Sequence, residues 1–232
     1  MTQALTLIAG AGPGNGMAFA RAFAADGALA LLTRDPTEIE REAERIGNAK
    51  TYACDVTDAV NVSSTLADVR SGQGEVTTLI YNAGSATYGG FEDMTADKFE
   101  QSWRINALGG FLVAKEVVPA MKAAEAGTIV FVGATASLRG GPNSAAFGPS
   151  KAAQRSLAQS MARSLWPLGI HVALLVLDGR VDQPDAREAA PDLPGHAFIN
   201  SQAVAATARA LSLQPRNAWT FETILRPSLE TW

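Results

Sequence analysis

The sequence predicts an α/β fold: a single domain over residues 1–232, built on a doubly wound, seven-stranded, mostly parallel sheet with helices on both faces. Three observations carry this. Short apolar runs alternate with longer stretches of helical character, the pattern of a parallel sheet with helical crossovers. The runs Leu5-Thr-Leu-Ile, Thr128-Ile-Val-Phe-Val and His171-Val-Ala-Leu-Leu-Val are short and apolar, as strands covered on both faces are. No linker, composition shift or internal repeat divides the chain, and a 47% hydrophobic share is enough for one large core.

In chain order, the strands are expected at Ala4–Ala9, Ala28–Thr33, Lys50–Ala53, Thr77–Tyr81, Thr128–Gly133, Ile170–Leu177 and Ala218–Leu225. Helices are expected at Gly14–Ala25, Pro36–Ile46, Ala59–Ser71, Ala96–Ala124, Ala145–Trp166 and Ser201–Leu213. Pro36 suits a first helical turn, where its missing N–H costs nothing. Pro167 and Gly169 end the fifth helix, because proline disfavours helix at the residue before it and glycine suits the turn. The least regular stretch, Asp178–Asn200, lies where a strand edge meets ligand in such sheets and reads as a substrate loop; an ordinary surface loop has the same look.

Composition narrows the function. A net charge of −4 without a clustered basic stretch argues against nucleic acid. No apolar run reaches the roughly 20 residues that span a bilayer, so no membrane partner is expected. The opening residues show no basic leader, and Cys54 is the single cysteine, which suits a reducing compartment; a cytoplasmic location is expected. No metal site is read.

The segment Ala9-Gly10-Ala11-Gly12-Pro13-Gly14-Asn15-Gly16 follows the first strand and opens the first helix. Glycines there let backbone approach a pyrophosphate at the positive end of a helix, although a tight turn without ligand has the same sequence. The spacing of Gly10, Gly14 and Gly16 resembles that of the short-chain dehydrogenase/reductase family, and further matches follow in the family's order. Asp55 and Val56 resemble the adenine contact after the third strand. Tyr81-Asn82-Ala83-Gly84 resembles the Asn-Asn-Ala-Gly motif closing the fourth. Asn106 resembles the helix asparagine of the catalytic set, and Lys151 the catalytic lysine that binds the nicotinamide ribose. The resemblance covers nearly the whole chain. It implies a Rossmann-type fold with Gly10, Gly12, Gly14, Asn15 and Gly16 at the cofactor's pyrophosphate, and with Asn82, Ala83, Gly84, Lys151, Gly179 and Val181 further along the cofactor. Taken singly, Asn82 also suits a tie between strands, Asp55 a turn cap, Asn106 a hydrogen bond in a kinked helix, and Lys151 a solvated helix position.

The pattern breaks at the chemistry. Counting back from Lys151 by the family's spacing puts Phe147 at the tyrosine and Ala134 at the serine. Phenylalanine has no ionisable proton, so the usual general acid is missing. Thr135, Ser137 and Tyr88 are candidate replacement hydroxyls, with Thr135 taken for the catalytic set beside Asn106, Lys151 and Phe147. An iminium would accept hydride with less help from an acid. The family's Pro-Gly after the sixth strand is Asp178-Gly179 here, a carboxylate suited to capping a turn, to holding a cationic substrate or to moving a proton.

Arg34 ends the second strand where NAD-binding sheets carry an acid, and its guanidinium, with Thr33 beside it, suits the 2′-phosphate of NADP. Pro13 and Asp35 leave NAD possible. The reading is an NADP-dependent oxidoreductase acting on a small carbonyl or imine with a non-standard proton donor. The alternative is a non-catalytic NADP-binding or sensor protein, and a non-redox, dehalogenase-like relative fits least well. A homodimer or homotetramer is expected, because the segments that make subunit contacts in the family carry Phe111, Leu157, Met161, Leu165, Trp219 and Phe221.

Overall fold

The computed structural model describes residues 4–231. Seven strands form one sheet: β1 (Leu5–Ala9), β2 (Ala28–Thr33), β3 (Ala49–Ala53), β4 (Thr78–Tyr81), β5 (Gly127–Ala134), β6 (Ile170–Leu177) and β7 (Glu222–Leu225). They are ordered β3-β2-β1-β4-β5-β6-β7, and every pairing is parallel. The sheet is therefore wholly rather than mostly parallel. The chain reverses its direction of winding between β1 and β4, and ligands of such sheets bind outside the strand carboxyl ends at that point.

Strand alternation sorts the core into two layers. Leu5, Leu7, Leu79, Ile129, Phe131 and Val172 face α3 (Ala59–Gln73), α5 (Gly109–Ala123) and α6 (Phe147–Leu165). Ile8, Leu29, Leu31, Ile80, Val130 and Leu175 face α1 (Asn15–Phe23), α2 (Glu40–Ile46) and α8 (Ser201–Ser212). Every residue of β1 and β6 is buried, which is why those runs do not alternate.

Three expectations on element bounds change. The long helix expected over Ala96–Ala124 is α4 (Ala96–Trp103), a single π-helical stretch (Arg104–Leu108) and α5. A side chain inserts at this point: the Tyr81 hydroxyl reaches in from β4 and donates to the Ile105 carbonyl at 2.5 Å. Gly109 permits the approach: a Cβ there would lie 2.4 Å from the same hydroxyl. The last strand starts at Glu222 rather than Ala218, because Trp219 instead lies flat on His171 (centroids 4.9 Å apart, planes 3° apart) and donates its indole N–H to the Gln214 carbonyl. Finally, the 178–200 stretch contains a short helix, α7 (Pro184–Glu188), and is tied by Ile199 N–H to Arg180 O (2.7 Å) and Asp182 N–H to Ile199 O (2.9 Å).

Of the six apolar residues expected at subunit contacts, Leu165 is buried, while Leu157, Met161 and Phe221 pack against the core and Trp219 covers His171. Phe111 alone of them is strongly exposed, at 44%. Among the described residues no helix is long and apolar enough to cross a membrane.

Candidate active site

The glycine loop runs from β1 into α1. A Cβ on Gly10 would lie 2.4 Å from Ala83 N, and one on Gly16 2.6 Å from Ala11 Cα, so packing alone demands those two glycines. Gly12 is different. A Cβ there would meet nothing within 4 Å, so its bareness serves the open space in front of the loop. α1 begins without a side-chain cap, and the backbone bonds of its first turn start with Met17 N–H, which donates to Gly12 O at 2.9 Å. Asn15 in this first turn is buried, and its Oδ1 has no hydrogen-bond partner among the described residues. Gln183, which the sequence did not single out, lies over Gly14: a Cβ on Gly14 would be 2.7 Å from its Nε2.

At the far end of β2, Asp35 turns its carboxylate onto Thr37, accepting from its N–H (3.0 Å) and its hydroxyl (2.6 Å), which hold the acid below its usual range. Arg34 is exposed, with no hydrogen bond or ion pair among the described residues, and Thr33 donates to Asp35 O at 3.4 Å. Asp55 likewise accepts from the N–H and hydroxyl of Thr57, the turn-capping role, while Val56 is buried. Asn82 donates to Gly10 O (2.8 Å) and so ties β4 to β1, and it lines the cleft as well.

Lys151, on α6, is buried rather than solvated. Its Nζ donates to Val132 O (2.8 Å) and Gln154 Oε1 (3.2 Å), and burial pushes its pKa down to about 7. A neutral amine has two N–H groups for these two acceptors; an ammonium carries a third for the cleft that Lys151 lines. Gly84 lines the cleft beside it, where a Cβ would stand 3.7 Å from Nζ and 3.2 Å from Asn106 Oδ1. Asn106, in the π-helical stretch, is fully buried: its amide donates to Ser85 O and Ser102 O, both at 2.9 Å, and its Oδ1 accepts from Ser85 N–H. It lies beneath the cleft rather than on its wall. Gln154 joins the two, since its Nε2 donates to Asn106 O (3.0 Å) while its Oε1 holds Lys151. Nothing in the residue pattern singles out Gln154 apart from its place one helical turn beyond Lys151.

Phe147 is 8% exposed, and Tyr88 packs on it edge to face with centroids 5.5 Å apart. Ala134 ends β5, and the candidate hydroxyls after it are committed: Ser137 is buried and accepts from Ala134 N–H, while Thr135 donates to Asp178 Oδ1 at 2.6 Å. Thr135 thus offers the cleft lone pairs rather than a proton. Asp178 is only 1% exposed, and Arg226 binds its Oδ2 through Nε (2.9 Å) and Nη2. Burial pushes this carboxyl up, but Thr135 and Arg226 outweigh it and hold the acid below its usual range. Asp178 is therefore an internally neutralised anchor, neither an open turn cap nor a partner for a cationic substrate.

These groups meet in a cleft of about 840 Å³ at the carboxyl ends of β4, β5 and β6. Its wall takes in Asn82, Gly84, Tyr88, Thr135, Phe147, Lys151, Gly179 and Val181, with Arg139 and Arg180 added by the fold. An elongated nucleotide fits this set. The open space at Gly12 and the uncapped α1 suit a pyrophosphate, and Lys151 has a donor to spare for ribose hydroxyls.

Comparison with known proteins agrees. The family model for short chain dehydrogenases matches residues 4–189. The oxidoreductase UcpA of Salmonella typhimurium is 32% identical over 204 residues, which is 84% of this chain and 77% of that protein. Among solved structures, a metagenomic short-chain oxidoreductase in complex with NADP superposes with a TM-score of 0.85 at 22% identity, covering 99% of each chain. An NAD⁺-bound xylitol dehydrogenase does so with a TM-score of 0.88 at 24% identity, covering 98% of this chain and 99% of its own.

Proposed function

Since the chain belongs to the short chain dehydrogenase family, we propose that it is an NADP-dependent oxidoreductase acting on a carbonyl- or imine-type substrate. The observation that carries this is the buried Lys151 amine, held by Val132 O and Gln154 with one position left for the cleft. A protein that only packed a core would not bury an ammonium against two acceptors and leave its third donor facing a large opening.

When bound, the nicotinamide supplies or takes up hydride; the rest is the work of the chain's own side chains. Lys151 would hold the ribose hydroxyls, and Gly84, Gly179 and Val181, which line the same cleft, would border the nicotinamide end. Arg34 takes the 2′-phosphate, because Asp35 has already spent its carboxylate on Thr37 and opposes it less. Tyr88 is the phenol nearest the position where the family carries its tyrosine, and it serves as proton donor from across the Phe147 ring. The test is oxidation of NADPH against a panel of ketones, aldehydes and cyclic imines by wild type and Tyr88→Phe. Turnover that drops roughly 10²- to 10⁴-fold in the variant supports the assignment; full turnover in the variant removes Tyr88 from it.

A second reading is favoured by two features. Neither position 134 nor position 147 has a hydroxyl, and Gln154 occupies the Asn106 carbonyl, which suits a protein that binds NADP without turnover. Tight NADPH binding with no oxidation across the whole panel would establish it.

A further inference from the structure

The cleft is cationic at its mouth, and its charges are arranged to stay that way. Asp178, the carboxylate nearest Arg139, is already satisfied: Thr135 donates to Oδ1, and Arg226 covers Oδ2. Arg139 Nη2 stands 3.6 Å from Asp178 Oδ1, close enough to feel the charge but too far for a hydrogen bond, so its donors remain available. Of the two guanidiniums beside Asp178, that of Arg139 is the more open, its side chain 49% exposed against 15% for Arg226. Arg180 also lines the cleft, and its side chain makes no hydrogen bond or ion pair among the described residues. Against these, among the described residues, stands one lining carboxylate, Glu230. The local backbone serves the same end. Arg139 follows the tight turn over Thr135–Ser137, its N–H bonded to Thr135 O (3.2 Å), and the next residue, Gly140, would meet nothing with a Cβ. The space beside the Arg139 side chain is thus kept open.

We propose that the substrate carries an oxyanionic group, a carboxylate in the first instance, which Arg139 binds at the mouth of the cleft with Arg180 as its helper. This rests on the oxidoreductase reading for the reacting end of the molecule, not for the anion site itself. A guanidinium with unspent, coplanar donors is the side chain best matched to a carboxylate. Asp178 acts as a positioning residue: it anchors Arg226 and Thr135 and restrains Arg139 without consuming its hydrogen bonds.

The experiment uses the full chain saturated with NADP⁺ and titrated calorimetrically with a series of straight-chain keto acids, each paired with its methyl ester. NADPH oxidation is followed with the same pairs. At least one acid should bind roughly tenfold or more tightly than its ester, the scale of a hydrogen bond to a charged group. Arg139→Gln should abolish that preference with NADP affinity unchanged, and Arg139→Lys should restore part of it. Arg180→Gln, at an exposed position, should reduce it less. Acids and esters binding alike, or no acid binding while NADP still does, overturns the anion site. Arg139-dependent acid binding without any NADPH oxidation upholds the site and overturns the oxidoreductase reading. Esters turned over as well as acids do the reverse.

Discussion

Replacing Lys151 with methionine should change how stability depends on pH. Burial holds the Lys151 amine at about 7, against an ordinary lysine value of 10.5 in the unfolded chain. Below about pH 7 both states carry the proton, and the folded protein bears the full cost of a buried ammonium. As pH rises from about 7 to about 10.5, the unfolded chain binds more protons than the folded one, so folding gains stability at up to about 1.4 kcal/mol per pH unit. Between about pH 7 and pH 9 this comes to roughly 2 kcal/mol, or about 4–8 °C in melting temperature for a domain of this size. Methionine is similar in volume and titrates nothing. The variant leaves Val132 O and Gln154 Oε1 without a donor, at a cost of about 1–3 kcal/mol, but that offset does not vary with pH. The slope of the difference is therefore the diagnostic quantity. Urea unfolding of wild type and Lys151→Met across this range should show the wild type gaining on the variant as pH rises. Parallel stability profiles would show that Lys151 is solvated and that the cleft geometry drawn around it is wrong.

Arg34→Asp should move cofactor preference from NADP toward NAD, because it replaces the unpaired cation at the end of β2 with an acid suited to a ribose 2′-hydroxyl. Titrating both cofactors into both proteins checks this, and an unchanged preference would remove Arg34 from the site. Phe147→Tyr should fold with a stability within about 1 kcal/mol of wild type, since the ring edge already borders the cleft, and should not confer ordinary ketone reduction while position 134 is alanine. Thermal unfolding and a ketone assay test the two halves separately. Light scattering at micromolar concentration should find a dimer or tetramer; Phe99, Trp103 and Phe111, all at least 40% exposed along α4 and α5, supply the apolar surface. A stable monomer would exclude it.

Much of this was legible from the residues. The runs at Leu5, Thr128 and His171 gave β1, β5 and β6 because strands buried on both faces need no alternation to be recognised. The glycine loop was legible too, since its spacing is fixed by backbone contacts with Ala83 and Ala11. What escaped depends on partners far along the chain. The π-helical stretch at Arg104–Leu108 has ordinary helix-forming residues, and only the Tyr81 hydroxyl arriving from β4 reveals it. Asp178 read as an open carboxylate because Arg226, 48 residues later, was not recognisable as its neighbour. Gln154 looked like any polar helix residue until the fold set it between Lys151 and Asn106. The 178–200 stretch follows β6 at the sheet's carboxyl edge, and its helix and backbone ties come from contacts that composition does not encode.

We propose that this cleft moves hydride between NADP(H) and a substrate carbon. The most direct measurement uses NADPH deuterated at the transferable position of its nicotinamide ring, incubated with the protein and the carbonyl and imine panel, with products analysed by mass spectrometry. The account predicts one deuterium on the reduced carbon of at least one product, formed by wild type and strongly diminished by Lys151→Ala. NADPH that binds tightly yet transfers no label to any member of the panel would contradict it and leave a nucleotide-binding protein in its place.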